Sequence, residues 1–451
     1  MIGSLDTKKT ISAIITPIGV GGVSIVRLSG DNAVKIADKF FCAANNLKPS
    51  GFDARKLMYG TFNGKTVKDK CLCVVFKKPN SYTGEDVVEF QCHGGIKLAS
   101  NILSEVNESG ATLAACGEFS LRAFLNGKMN LSEAEGMIDL INAESDSELK
   151  AGYSLLNGTL SQKVNAFQES IVDLISDIEV SFDYPEEDIE FTESKKAKEK
   201  IEKLIEELNV LIASSKTGSI IKNGINCVIV GKPNVGKSSL LNALINKNKA
   251  IVTDIAGTTR DVIEDAFEVN GVKVNVLDTA GIRETKDIVE RFGVEKSKEL
   301  IGVADIILFV VDSSCPLDEK DAQILNLLTN KKYLTIYNKA DRLKKPKLAN
   351  AIYTVAKTGE GIGELKQKIY DLLINKSVIS GGLIITNARH TNALKKAKAA
   401  LQSALAGIDD FTLDLIAIDL KESYEALGEI TGTTSNEEIL DSIFSKFCLG
   451  K

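Results

Sequence analysis

One stretch near the middle of the chain constrains the fold most: Gly231-Lys232-Pro233-Asn234-Val235-Gly236-Lys237-Ser238-Ser239. An apolar run, Ile225 to Val230, leads into it, and a helical pattern, Leu240 to Ile245, leads out. Strand, glycine-rich turn and helix in that order make G-x-x-x-x-G-K-[ST] a phosphate-binding loop. The glycines let backbone N–H groups turn inward around an anion, and the helix beyond them presents the positive end of its dipole. On this reading Lys237 reaches the β- and γ-phosphates of a nucleotide and Ser238 is a Mg²⁺ ligand. Asn234, Val235, Gly236 and Ser239 complete the cradle. Chance alone produces such a match in roughly a few per cent of chains of this length, so the motifs downstream decide the matter.

They stand in the order such a loop requires. Val274 to Leu277 reads as a strand delivering Asp278-Thr279-Ala280-Gly281, with Asp278 turned to the Mg²⁺ shell and the Gly281 N–H to a γ-phosphate. Leu334 to Tyr337 leads into Asn338-Lys339-Ala340-Asp341, an N-K-x-D motif. A carboxylate at Asp341 accepts from both N1–H and N2–H of guanine, and adenine offers no such pair of donors. Ile352 to Val355 precedes Ala356-Lys357, a loop whose backbone N–H meets the guanine O6. Thr253-Asp254-Ile255-Ala256-Gly257-Thr258-Thr259 is the candidate switch segment, with two adjacent threonines where one serves Mg²⁺. Four motifs, each at the end of a strand, predict a Ras-like P-loop GTPase domain rather than a generic ATPase.

Hydrolysis needs a group that orients water. In Ras-like enzymes a Gln after the D-x-x-G glycine does this; here the position is Ile282, which cannot. The task passes to the charged segment Arg283 to Arg291 or to a group from outside. Asn234 has two readings: it stabilises the loop, or its carboxamide oxygen helps hold a monovalent cation near the β–γ bridge.

A chain of 451 residues is too long for one core, and its length suggests about three domains. It carries 55 basic and 61 acidic residues, net −6, with 44% hydrophobic residues. That balance describes a soluble globular chain without the broad basic surface of an autonomous nucleic-acid binder. The eight cysteines are scattered and form no C-x-x-C pair, which fits free thiols in a reducing cytosol. No signal peptide and no membrane-spanning run is legible, so a cytoplasmic location and no membrane partner are expected.

Residues 1 to 128 read as an α+β domain, with strands at Ile11–Ile15, Val23–Leu28, Leu72–Phe76 and Val87–Cys92 and a helix from Ile96 to Glu108. Arg27, Glu89 and Lys128 are its notable charges, and spacing alone assigns them no role. Helical patterns come next at Glu133–Leu149, Leu155–Phe182 and Ile201–Ile212, and again at Thr391–Ala406, Leu413–Leu427 and Asn436–Phe447. Neither block looks self-sufficient. The economical division is an N-terminal domain (1–128), a helical domain in two parts (129–220 and 379–451) and a GTPase domain inserted between them (221–378), with hinges near Gly218–Gly224 and Ser377–Gly382. Cys448-Leu449-Gly450-Lys451 closes the chain, and Gly450 and Lys451 make it a poor prenylation box.

These motifs resemble the MnmE (TrmE) family of tRNA-modifying GTPases from end to end. The likeness is carried by G-V-G-G-V-S-I-V-R-L-S-G, N-S-Y-T-G-E-D-V-V-E-F-Q-C-H-G-G, G-E-F-S-L-R-A-F-L-N-G-K, G-K-P-N-V-G-K-S-S, T-D-I-A-G-T-T-R-D, D-T-A-G-I-R-E and F-C-L-G-K. The resemblance implies an N-terminal domain that binds 5-formyl- or methylene-tetrahydrofolate and forms a homodimer. Arg27, Glu89 and Lys128 fall on its folate-contacting positions, with Lys451 reaching the same site. A K⁺ site falls on Asn234, Thr253, Ile255 and Thr258, Mg²⁺ on Ser238 and Thr259, the water-orienting glutamate on Glu290, and a cysteine required for modification on Cys448. The implied partner is the FAD flavoprotein MnmG (GidA), in a heterotetramer or larger assembly that acts on C5 of the wobble uridine of certain tRNAs. Val355 and Leu449 depart from the family's usual Ser and Ile. A ribosome-assembly GTPase would carry a basic RNA-binding appendage, and a membrane-remodelling one a lipid-facing paddle; neither is legible.

Overall fold

Strands with largely buried residues, covered on both faces, build the N-terminal sheet. Its strands are β1 (Ile11–Ile14), β2 (Val23–Ser29), β3 (Phe41–Ala43), β4 (Met58–Asn63), β5 (Lys68–Phe76), β6 (Val87–His93) and β7 (Thr112–Leu113). They lie in the order β3-β4-β5-β6-β2-β1-β7, antiparallel except for the β1–β7 pair. Helices α1 (Ala33–Phe40) and α2 (Ile96–Glu108) cover one face, where Val26, Leu28, Phe41, Phe62 and Phe90 are buried with Ile36, Ile102 and Val106. On the other face Ile11, Ala13 and Ala114 pack with Phe119 of α3 (Glu118–Leu125) and with Tyr82. Because strand side chains alternate, Arg27 of β2 points away from the Val26 and Leu28 core. Register sets it opposite Ala13 on β1 and Glu89 on β6.

The computed structural model describes residues 6–183, 190–245, 263–277, 299–343, 351–374, 382–408, 413–448 and 450. They fall into two units: Met1–Ile141, Gly152–Ile201 and Ala399–Lys451 form the first, and Asn142–Ala151 with Glu202–Lys398 the second.

The helical pattern read at Glu133–Leu149 is in fact two helices, α4 (Leu131–Ile141) and α5 (Asp146–Leu156). The break has a local cause. Ser145 Oγ accepts from the Glu148 N–H and donates to Glu148 Oε1, and Glu148 Oε2 accepts from the Glu144 N–H, so this cap starts a new helix. The next pattern also starts late, at α6 (Thr159–Asp183), because Gly158 takes φ +77°. Helix α7 spans Glu190–Asn223. The first expected hinge is therefore helical as far as Asn223, and only Gly224, at φ +76°, leaves the helix.

The second unit holds a six-stranded sheet of β8 (Ile225–Val230), β9 (Ile263–Val269), β10 (Val272–Leu277), β11 (Ile306–Asp312), β12 (Tyr333–Asn338) and β13 (Ile352–Thr354), in the order β13-β12-β11-β8-β10-β9. All pairs are parallel except the β9–β10 hairpin. Strand β11, I-I-L-F-V-V-D, is buried on both faces through Val311, as a central parallel strand with helices on each side requires. Its helices are α8 (Lys237–Ile245), α9 (Glu319–Leu327) and α10 (Ile362–Leu373).

Three helices complete the chain: α11 (Ala388–Gly407), α12 (Leu413–Thr431) and α13 (Glu437–Phe444), with Asn436 capping α13 by accepting from the Ile439 N–H. In the first unit α12 packs along α6, where Gln168 Nε2 donates to the Tyr424 carbonyl. Leu440, Ile443, Phe444 and Phe447 bury against Leu121, Leu131 and Ala134. No helix among the described residues is long and apolar enough to cross a membrane.

Candidate functional site

The loop between β8 and α8 is held by its carbonyls. Lys237 Nζ donates to the carbonyls of Gly231 and Lys232 at 2.8 and 2.9 Å. Asn338 Nδ2 donates to the Val235 carbonyl at 2.9 Å, and Lys339 Nζ to the Asn234 carbonyl at 2.7 Å. Side chains thus hold four of the loop's carbonyls and fix its backbone. Gly231 (φ +152°) and Gly236 (φ +97°) cannot be replaced cheaply. A Cβ on the first would strike the Val310 carbonyl and on the second the Asn338 amide. Burial lowers the Lys237 pKa. An ammonium taken out of water with two carbonyl partners among the described residues gains strongly from an anion placed beside it.

The same side chains reach the next motif. Asn338 is buried, and its Oδ1 accepts from the Ala356 N–H at 3.2 Å and from Thr354 Oγ1 at 3.2 Å. Lys339, in the left-handed region at φ +60°, pairs with Asp312 at 2.6 Å. Burial would raise the Asp312 pKa, but the bonds from Lys339 and Ser314 outweigh it and hold the carboxylate below its ordinary range. Asp341 is exposed in the turn after β12, and Lys357 is exposed beside Ala356. The structure thus brings Asn234 to Ser239 together with Asn338, Lys339, Asp341, Ala356 and Lys357. Thr253, Asp254, Ile255, Ala256, Gly257, Thr258, Thr259, Asp278, Thr279, Ala280, Gly281 and Glu290 lie outside the described residues.

A second constellation sits in the first unit. Arg27 Nε and Nη2 both reach Glu89 Oε1 at 2.8 Å, with side chains only 16% and 11% exposed. The guanidinium lies 5.3 Å from the Tyr82 ring centre and 5.6 Å from that of Phe119. The Tyr82 hydroxyl is 2.7 Å from Ser120 Oγ, and burial raises its pKa. The loop that carries Tyr82 is clamped from below: buried Arg122 pairs with Glu118 at 2.8 Å and with Glu85 at 3.1 Å. Asn126 Nδ2 donates to the Thr83 carbonyl at 2.7 Å. Lys128 is exposed, with its stem beside Gly84. Gly450, at φ +97°, is buried against the Ile14 carbonyl, so the chain end runs to the strand that pairs with Arg27's. Cys448 is exposed, and Lys451 lies outside the described residues.

Two family descriptions match, "GTP-binding protein TrmE N-terminus" over residues 10–128 and "MnmE helical domain" over 131–448. The chain belongs to the MnmE (TrmE) family. Curated members align with nearly all of it. The tRNA modification GTPase MnmE of Carboxydothermus hydrogenoformans is 44% identical over 98% of this chain and 100% of its own. Those of Acetivibrio thermocellus and Clostridioides difficile are 43% and 42% identical, each over 98% of this chain and 99% of theirs. As an MnmE-family chain it carries a loop, at Gly231–Ser239, that suits a nucleotide diphosphate. In the first unit the Arg27 guanidinium, paired with Glu89, stacks on the Tyr82 and Phe119 rings.

Sequence reasoning about this MnmE-family chain does not find Tyr82 and Phe119. Both lie inside motifs quoted for the resemblance, Tyr82 after Asn80-Ser81 and Phe119 after Gly117-Glu118, but only the fold sets them on the Arg27 guanidinium. Nor does it find Asp318 and Asp321, which face Lys232 from a separate helix start.

Proposed function

We infer that this chain is a GTP hydrolase that acts in tRNA modification, the activity carried in the names of its MnmE relatives. The observation that carries the nucleotide reading is the direct tie between two motifs more than a hundred residues apart. Asn338 and Lys339 of N-K-x-D hold the carbonyls of Val235 and Asn234 in the phosphate loop, so base and phosphate recognition share one rigid frame. Asp341 accepts from guanine, the Ala356 N–H region meets the O6, and the N–H groups of Asn234 to Ser239 bind the phosphates. Ser238, on the first turn of α8, and Thr259 are proposed to hold Mg²⁺, which when bound neutralises charge between the β- and γ-phosphates. Asp278, Thr279, Ala280 and Gly281 close the γ-phosphate side, and Glu290 orients the water that Ile282 cannot.

The finer reading is that hydrolysis depends on K⁺ and serves wobble-uridine chemistry. Asn234 sits at φ +64° on the exposed side of the loop. That exposed position in the phosphate loop supports a role for its carboxamide, with Thr253, Ile255 and Thr258, in a K⁺ cage. In the other unit Arg27, Glu89, Lys128 and Lys451 would bind 5-formyl- or methylene-tetrahydrofolate. That cofactor supplies the one-carbon unit, and the reading includes a homodimer working with the FAD flavoprotein MnmG (GidA) in the cytoplasm. The domain division at 128, 220 and 378 belongs to the same reading. Two measurements test it. GTP hydrolysis should run faster in K⁺ than in Na⁺, and Asn234→Ala should lose that preference while still binding GDP; equal wild-type rates in the two salts would remove the K⁺ site. Mass spectrometry of tRNA nucleosides from a deletion strain should show loss of the aminomethyl or carboxymethylaminomethyl group at the wobble uridine, and an unchanged profile would remove the tRNA role.

A further inference from the structure

Within the phosphate loop the Lys232 side chain meets two carboxylates of a separate element. Lys232 Nζ lies 2.7 Å from Asp318 Oδ2 and 2.7 Å from Asp321 Oδ2, at the start of α9. The two aspartates form that helix's capping box. Asp318 Oδ1 accepts from the N–H groups of Lys320 and Asp321, and Asp321 Oδ2 accepts from that of Asp318. The Asp321 side chain is 2% exposed, and its other oxygen, Oδ1, has no hydrogen-bond partner among the described residues. Lys232 is therefore the cation that compensates a buried carboxylate, and a contact of that kind is stiff because breaking it strands a charge in a dry site.

The two residues after Lys232 transmit the anchor. Pro233 has a fixed φ and no N–H, and it restricts the residue before it. Asn234 stands in the left-handed region, and Lys339 holds its carbonyl. Lys339 in turn pairs with Asp312. The β11–α9 connection thus carries an acid at each end, Asp312 bound to the base-motif lysine and Asp318 to the loop's own lysine. Both pairs grip the Pro233–Asn234 turn, one from each side.

We propose that Lys232 is a positioning residue for nucleotide: its ion pair with Asp318 and Asp321 fixes the Pro233–Asn234 turn so that the N–H groups behind it face a phosphate. It does this without touching the nucleotide. The proposal rests on the nucleotide reading, and the two fail separately. Wild-type protein that binds no fluorescent GDP analogue would remove that reading, whereas variants that match a binding-competent wild type would remove this one. The test is stopped-flow dissociation of N-methylanthraniloyl-GDP from the full chain, with thermal melting in parallel. Lys232→Met should release the analogue about tenfold faster at an unchanged association rate, as a change that loosens a preformed site acts mostly on the off-rate. Its melting temperature should fall as well, because the Asp321 carboxylate is left buried and unpaired. Asp318→Asn keeps the Lys232–Asp321 pair and should melt close to wild type, so a faster off-rate there is what a merely structural role would not give. Lys232→Arg, which keeps the charge, should restore the off-rate to within about twofold. Asp318→Asn keeps the helix-capping oxygen and removes one of the two charges, so it should fall between them, at about threefold. An off-rate for Lys232→Met within twofold of wild type overturns the proposal, as does an Arg variant no better than Met. If Lys232→Met fails to fold, an unchanged off-rate in Asp318→Asn overturns it instead.

Discussion

At the scale of single residues, the eight cysteines separate by environment. Burial pushes Cys71 up to about 12 and Cys92 to about 11, and it raises Cys73 and Cys227 well above the usual thiol range. At pH 8 a thiol with a pKa near 12 is ionised to about one part in ten thousand, and the thiolate is the reactive form. Cys315 and Cys448 are exposed, and Cys42 and Cys116 are half-buried. A disulfide reagent added to the native chain at pH 8 should therefore titrate two thiols quickly and all eight in denaturant. Cys448→Ser should remove one of the fast pair. A fast count of five or more would put at least one of Cys71, Cys73, Cys92 and Cys227 in reach of solvent and contradict their burial. Cys448 is in this sense the odd thiol of the first unit: the fold shelters the β5–β6 cysteines and leaves the terminal one open.

At the scale of elements, periodicity and punctuation explain both what is legible in the sequence and what is not. The strand before Gly231 and the helix after Ser239 are legible because motif, apolar run and helical pattern agree there. Helix α2 reads at its true bounds, Ile96–Glu108. Strand β5 reads only from Leu72, because its first residues, Lys68-Asp69-Lys70, are charged and their place in the sheet is set by pairing with Thr61, Phe62 and Asn63 of β4. The α4–α5 break is hidden because Ile138, Ile141 and Leu149 keep helical spacing across it, while Ser145-x-x-Glu148 restarts the backbone. The phosphate and base motifs of the candidate site are readable as strings. The Arg27–Tyr82–Phe119 stack and the Lys232 anchor are not, since both depend on side chains from separate elements. The Ser145 cap makes its own prediction. Ser145→Ala removes an N-cap worth about 1 kcal/mol, so amide exchange over residues 146–149 should quicken about fivefold. Exchange at the wild-type rate would mean that contacts of α5, and not Ser145, set its start.

At the scale of the whole molecule, the described chemistry divides between two units. The described part of the nucleotide site, from Gly231 through Lys357, is built inside the second. Cys448, Arg27, Glu89 and the buried Gly450 belong to the first. On the proposed folate reading, a side chain that serves the one-carbon step should therefore be separable from GTP hydrolysis. In Cys448→Ser the terminal thiol becomes a hydroxyl, far less acidic and a poorer nucleophile at neutral pH, with almost no change in volume. We expect this variant to keep K⁺-stimulated GTP hydrolysis near wild type and to abolish the wobble-uridine modification in cells. Gly450→Val approaches the same point through the backbone. Gly450 holds φ +97° with no room for a Cβ against the Ile14 carbonyl, so any side chain lifts the tail from β1. It should lose modification and keep hydrolysis as well. Modified tRNA at normal levels in Cys448→Ser would reduce the thiol to a bystander. If that were joined by loss in Gly450→Val, the seated tail rather than its sulfur would be what the reaction uses.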